Sequence, residues 1–269
     1  MDPTIFYIVV LIITGAGIGF ASGLLGVGGG FIMVPIQYWL LVSIGIDPTI
    51  AIRVSLGTSL AVILPTAISS AYGHYRRNAV LVKPMIFLAI TGSMGGILGG
   101  TIAANVPGGI LKVLFGITAL AVAVRMLLYK SPEVKKEPVD NNIYYIIAGF
   151  IIGIMSGLLG VGGGFIIVPF MVIAMGYGIH KAIGTSTAVI IFTSIGGIVS
   201  YIFNGLGVSG LPQYSLGYVN LLQFVILAGA SIPMAQFGVK AAHKLPPRQL
   251  NYIFVALMVY VGLNMIGII

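Results

Sequence analysis

The 269-residue chain contains no cysteine and very little charge. Without cysteine it has no disulfide, no iron–sulfur cluster and no thiolate metal site. Only 7% of its residues are charged, whereas a typical soluble domain has about 25%. Eighteen charged side chains, 13 basic and 5 acidic, do not cover the surface of a globule of this size. These shortages argue against a soluble enzyme and against a disordered chain.

The composition favours a membrane protein instead. Hydrophobic residues make up 58% of the chain, and 39 residues are glycine. Glycine is common in membrane helices, where it lets two backbones approach closely. The apolar stretches are apolar on every face, whereas the strands of a β-barrel would alternate apolar and polar residues. The sequence therefore predicts an all-α integral membrane protein with several spans.

One unit is used twice. Residues 22–35 read SGLLGVGGGFIMVP and residues 156–169 read SGLLGVGGGFIIVP, so 13 of 14 positions agree at an offset of 134. An internal repeat of half the chain length indicates two copies of one structural unit. We expect a first five-helix repeat at 1–129, a polar and cytoplasmic linker at 130–142 and a second five-helix repeat at 143–269.

Each half contains five apolar segments, of which the second is short. Basic residues cluster in the loops and in the linker, which is typical of cytoplasmic loops. If every segment crosses, 11 of the 13 basic residues are cytoplasmic and the two repeats are inverted. The alternative is four full spans per half in parallel repeats. The ten segments are approximately 4–26, 30–44, 49–71, 84–104, 109–129, 143–160, 164–177, 182–203, 217–239 and 249–268.

The duplicated GVGGG motif predicts a break between two helices. Adjacent glycines expose backbone N–H and C=O groups, and in hydrocarbon each unpaired group costs several kcal/mol. The helix that begins after the glycines has free N–H groups and a positive dipole end, which suits an anion. Inverted repeats bring two such ends together. The alternative is a tight turn that only allows close packing. The candidate substrate-binding residues are Gly28, Gly29, Gly30, Phe31, Gly162, Gly163, Gly164 and Phe165.

Uncharged polar side chains extend this candidate site. Thr58, Ser59, Thr185 and Ser186 form a duplicated Gly-Thr-Ser motif. Their hydroxyls can donate to substrate oxygens or bond a carbonyl one turn back. Gln37 lies in the short second segment, where the second half has Met171.

Two cations precede the hydroxyl pairs at nearly equivalent places. Arg53 and Lys181 would lie at opposite mouths of an inverted arrangement and attract anions there. The alternative reading of both is an interfacial anchor whose charge reaches the membrane surface. It is the better one for Lys181.

Carboxylates and histidines are missing from the predicted spans. Every Asp and Glu is terminal or in a loop, and we expect His74, His180 and His243 to lie in loops. An intramembrane enzyme or metal site would lack its base and its ligands, so we predict neither enzyme activity, nor a cofactor, nor a metal. The basic residues belong to short loops, which argues against nucleic-acid binding.

The doubled G-x-x-G-x-G-G-G-F-x-x-V-P and the Gly-Thr-Ser after each copy resemble the TauE/SafE sulfite exporter family, over essentially the whole chain. The resemblance implies a multi-pass plasma-membrane transporter of a small anion such as sulfite or an organosulfonate, in contact with membrane lipid. We expect a secondary transporter that works by alternating access. The alternatives are a passive anion channel and a non-transporting membrane scaffold or partner subunit.

Overall fold

The computed structural model describes residues 3–26, 28–128, 141–242 and 247–268. These residues form ten helices, and the protein is an all-α integral membrane protein. Seven of the described helices are long and apolar enough to cross a membrane. The second helix of each half is shorter. The helices are α1 (Pro3–Leu25), α2 (Gly30–Ser43), α3 (Pro48–Tyr75), α4 (Val82–Asn105), α5 (Gly108–Leu128), α6 (Asn142–Leu159), α7 (Gly164–Pro169), α8 (Ile179–Gly205), α9 (Leu221–Ala242) and α10 (Pro247–Ile266).

Two elements differ from the predicted segments. The seventh segment is α7 followed by a π-helical turn at Phe170–Ala174, so that the helical stretch runs to Ala174. The ninth segment was predicted from 217, but its helix begins at Leu221 after a small antiparallel hairpin of β1 (Ser215–Leu216) and β2 (Val219–Asn220). The predicted linker lies outside the described residues except for 141 and 142.

Local sequence explains where several helices begin and end. The Asp47 Oδ1 atom accepts hydrogen bonds from the N–H groups of Thr49 and Ile50, and Pro48 occupies the first position of α3. The Asn141 side chain caps α6 in the same way. Both arrangements satisfy backbone donors that a helix N-terminus leaves free.

Helices of one half pack against helices of the other half. α1 of the first half packs along α9 of the second, and α6 of the second packs along α4 of the first. Glycines make both pairs close: a Cβ added at Gly23 would overlap the Ala235 carbonyl oxygen, and one added at Gly157 would overlap that of Gly96. Each half is therefore incomplete without the other.

Equivalent helices of the two halves cross in opposite directions. An added Cβ on Gly57, near the start of α3, would lie 3.0 Å from the Cβ of Tyr201, near the end of α8. At the other end, Ala79, which follows α3, lies against Gly184 near the start of α8. Because α3 and α8 are equivalent in the repeat and antiparallel in space, the two halves are inverted.

Candidate functional site

Each glycine motif forms a kink in the left-handed backbone region. The φ angles are 67°, 82° and 76° at Gly26, Gly28 and Gly29 in the first half. They are 65°, 78° and 83° at the equivalent positions of the second half, residues 160, 162 and 163. Residues other than glycine rarely adopt these φ angles. The motif therefore needs glycine for its backbone conformation.

The two kinks lie against each other. A Cβ added at Gly30 would lie 2.7 Å from the carbonyl oxygen of Gly160 and 2.7 Å from the Cα of Val161. One added at Gly28 would lie 2.9 Å from the carbonyl oxygen of Val161. Gly28 is therefore required for space as well as for conformation, and Gly30 is required for space. The first turns of α2 and α7 meet across this contact.

The two predicted serines bond to kink carbonyls of the opposite half. Ser59 donates to the carbonyl oxygen of Gly160, and Ser186 donates to that of Gly26 over 3.0 Å. All atoms of both side chains are buried. The pair is reciprocal, as expected for halves related by a two-fold axis, and each serine joins a long helix to the other half's kink.

The two predicted threonines also bond between the halves. Thr58 Oγ1 accepts a hydrogen bond from the N–H of Asn220, and Thr185 Oγ1 accepts one from the N–H of Leu81, each over 2.9 Å. Both donors stand immediately before a helix, α9 and α4 respectively. The bonds that the structure shows for these hydroxyls are thus to the backbone of the opposite half. They hold the start of a neighbouring helix.

Aromatic rings fill the space beside the kinks. Phe31 and Phe165, at the second position of α2 and α7, pack edge to face with centroids 4.8 Å apart. Phe115 of α5 lies 5.6 Å from Phe31 by the same measure. Both motif phenylalanines are buried. In this conformation the N-termini of α2 and α7 pack against each other.

The second kink leaves three buried donors without a partner. Of the described residues, none accepts a hydrogen bond from the backbone N–H of Gly164 or Phe165. The hydroxyl of Ser156 is also buried and unpartnered. It lies at the same kink, because a Cβ added at Gly163 would be 3.4 Å from the Ser156 Cβ. Buried donors are normally satisfied, so this group is unusual.

Gln37 is fully buried, and neither its amide nitrogen nor its amide oxygen has a hydrogen-bond partner. It lies seven residues after Gly30 on α2, two turns further along the same helix face. Met171 stands in its place in the second half and is also fully buried. At this pair of equivalent positions, only the first half has an unsatisfied carboxamide.

The two predicted gating cations differ in environment. Arg53 is half-buried, and its guanidinium donates to Tyr218 and to the carbonyl of Val106. Lys181 is exposed near the start of α8. They lie at opposite ends of the helix bundle, as the antiparallel crossing of α3 and α8 requires.

Some site residues escaped the sequence reasoning. A serine begins each copy of the motif, Ser22 in the first and Ser156 in the second, and this repetition is the signal that marks Ser156. Thr193 donates to the Gly162 carbonyl over 2.9 Å, but nothing in the sequence pairs a residue 31 positions away with the kink.

The expectation that His74 lies in a loop is wrong. It occupies the last turn of α3, is 1% exposed and bonds through Nε2 to the Gly23 carbonyl over 3.1 Å. The basic residues Arg76 and Arg77 follow it closely, and such residues are typical of a loop. The same expectation is wrong for His180, which is the second residue of α8 and is exposed. His243 lies outside the described residues.

The chain is similar to known membrane transporter proteins. The family model described as Sulfite exporter TauE/SafE matches residues 11–265. A probable membrane transporter protein of Haemophilus influenzae is 31% identical, covering 96% of this chain and 98% of the relative. Another from Methanocaldococcus jannaschii is 32% identical, covering 95% and 94%. No solved structure matches significantly. The chain is a membrane transporter and not an enzyme.

Proposed function

Because the chain belongs to the TauE/SafE family, we propose that it is a secondary transporter of a small sulfur oxyanion, sulfite or a related organosulfonate. The observation that carries this proposal is the group of buried donors at the second kink, the Ser156 hydroxyl and the N–H groups of Gly164 and Phe165. Three donors without an acceptor favour a ligand made of acceptors, and an oxyanion is such a ligand.

The substrate binds between the two kinks in this proposal. Backbone N–H groups of residues 28–31 and 162–165 hold its oxygens, and the positive ends of α2 and α7 balance its charge. The hydroxyls of the duplicated Thr-Ser pairs, residues 58–59 and 185–186, exchange their present backbone partners for substrate oxygens when the halves separate. Gln37 adds a carboxamide from the first half only.

The proposed mechanism is alternating access, which the inverted halves support. The conformation described here is closed, since Gly30 packs on Gly160 and the two motif phenylalanines meet beside them. Opening toward one end separates the kinks on that side, and the inverted geometry makes the opposite opening equivalent. Arg53 at one mouth and Lys181 at the other raise the local anion concentration.

The charge distribution supports an orientation in the plasma membrane. The end of the bundle that holds the α3–α4 turn carries Arg76, Arg77 and Lys83, and Lys181 lies at the same end. The opposite end has Arg53 and Lys112. In this proposal the positive-inside rule makes the first end cytoplasmic, in line with the expectation for the linker 130–142.

The test is transport by the purified protein alone in proteoliposomes. A carrier gives saturable uptake of radiolabelled sulfite and counterflow when unlabelled sulfite is inside the vesicles. A channel would give flux linear in concentration without counterflow, and a scaffold would give no flux. Either result would contradict the proposal.

A variant connects the function to the second kink. Ser156→Ala removes one unpartnered donor and should lower sulfite affinity about 10- to 100-fold, because a hydrogen bond to a charged group contributes about 1.5–3 kcal/mol. Ser43→Ala is the matched control: its hydroxyl bonds the Leu40 carbonyl over 2.8 Å near the far end of α2. Equal affinity of the two variants would remove the second kink from the binding site.

A further inference from the structure

The Arg53 guanidinium has only neutral partners. Its NH1 group donates to the Tyr218 hydroxyl over 3.2 Å, and its NH2 group donates to the carbonyl oxygen of Val106 over 3.1 Å. The Nε atom is buried and has no hydrogen-bond partner. Since a guanidinium carries five N–H donors, at least Nε–H and one N–H of each terminal group remain for another acceptor.

No carboxylate in the described part of the chain neutralises this cation. Asp47 is the one acidic residue there, and its Oδ1 atom is engaged as the N-cap of α3, 2.8 Å from the Thr49 N–H. Withdrawing a charge from water without a counterion is unfavourable. Arg53 is half-buried, so this cost applies to part of its charge, and a bound anion would offset it.

Two tyrosines, Tyr218 and Tyr201, lie around the Arg53 guanidinium. Its Cζ atom lies 5.8 Å from the centroid of the Tyr218 ring, close enough for a cation–π interaction. The Tyr201 ring packs edge to face on Tyr218, with centroids 6.5 Å apart, and fixes its position. Because the Tyr218 hydroxyl accepts from Arg53, its own proton points elsewhere and can be donated. The group thus offers N–H and O–H donors from rigid supports.

The equivalent position of the second half lacks such a group. His180 stands there, and it is exposed, as is Lys181 beside it. Exposed cations act on an anion over a distance through a screened field. Arg53 instead has hydrogen-bonded partners at the end of the bundle where α3 begins, and the equivalent position of the second half does not repeat this arrangement.

We propose that Arg53 and Tyr218 form an anion-binding subsite at that end of the transporter. The subsite takes the oxyanion directly, through Nε–H, the remaining guanidinium N–H groups and the Tyr218 O–H, before the anion reaches the kinks. The identity of the anion rests on the proposed function. Direct binding, as opposed to long-range attraction, rests on the geometry around Arg53.

The experiment compares three variants by calorimetric titration of the detergent-purified protein with sodium sulfite at constant ionic strength. Arg53→Gln removes both the positive charge and the planar set of guanidinium N–H donors. Arg53→Lys keeps the charge but not the planar set of donors. Lys112→Gln is the matched control, because it removes one positive charge from the same end, where Lys112 lies 5.4 Å from the ring centroid of Tyr38. The same proteins are assayed for sulfite flux in proteoliposomes.

We expect Arg53→Gln to weaken sulfite binding about 10- to 100-fold, as for the loss of a charged hydrogen-bonding group. Arg53→Lys should weaken it less but measurably, and Lys112→Gln less than about threefold. Arg53→Lys also serves if Arg53→Gln does not fold. Wild-type affinity in the folded Arg53 variants, or an equal loss in Lys112→Gln, would overturn the subsite.

The flux assay separates this inference from the function. If wild-type protein transports sulfite saturably while Arg53→Gln keeps the wild-type KM, the subsite is wrong and the transporter stands. If the wild-type protein neither binds nor transports sulfite, the proposed function fails and the subsite fails with it.

Discussion

Substitution of Gly30 by alanine tests whether the contact between the kinks matters. The new Cβ would lie 2.7 Å from the Gly160 oxygen and from the Val161 Cα, whereas ordinary contacts are 3.4 Å or longer. The two kinks must therefore separate by about 0.7 Å. Overpacking of this kind costs about 1–3 kcal/mol. The Ser59 bond to the same Gly160 oxygen adds about 1 kcal/mol if it breaks.

We expect Gly30→Ala to lower the free energy of unfolding by about 2–4 kcal/mol and to slow sulfite flux, since the closed state is the one disfavoured. Thermal unfolding in detergent and flux in proteoliposomes, normalised to inserted protein, measure the two effects. Gly17→Ala on α1 is the control, because its added Cβ would meet no atom within 4 Å. Wild-type unfolding and flux in Gly30→Ala, or an equal loss in Gly17→Ala, would refute the reasoning.

Three further outcomes follow from the same contacts. Ser59→Ala and Ser186→Ala should each lower stability by about 1 kcal/mol in thermal unfolding, and an unchanged melting temperature in both would show that the reciprocal bonds are not made. Gln37→Met should weaken sulfite binding yet raise stability, because it removes an unsatisfied buried amide; loss of both would mark Gln37 as structural. Gly29→Val and Gly163→Val should abolish flux while the protein still inserts, since both positions have φ near 80°; wild-type flux would remove these glycines from the mechanism.

The helical architecture was accessible from the sequence because each helix has a local cause. Long apolar runs specify spans, and the consecutive glycines of 26–30 and 160–164 specify breaks without any tertiary information. The sequence predicts the start of α9 four residues too early because the hairpin before it is apolar: Tyr218 and Val219 are buried and extend the hydrophobic run of the helix. Composition alone does not separate a buried turn from a helix end.

The partners of the site residues were not accessible, because they depend on how the halves pack. Repetition marked Thr58 and Ser59 as special, but their partners, Asn220 and Gly160, lie 162 and 101 residues away. The same is true of Arg53, whose neighbours Val106 and Tyr218 come from two different loops. Sequence periodicity reports which face of a helix is buried, and it does not report which element covers that face.

The differences between the halves have a defined thermodynamic meaning. In a carrier built from two inverted copies, the outward-open and inward-open states would be equivalent by two-fold rotation and equal in energy if the copies were identical. Arg53 against His180 and Gln37 against Met171 break this equality. Such residues change the affinity at one face and the populations of the two states, since a ligand shifts an equilibrium only through its differential affinity. They do not choose the net direction of transport, which the gradients set. In the proposed transporter, substitution of Arg53 should therefore alter KM mainly from the side where α3 begins, and it should leave the equilibrium distribution of sulfite across the vesicle unchanged.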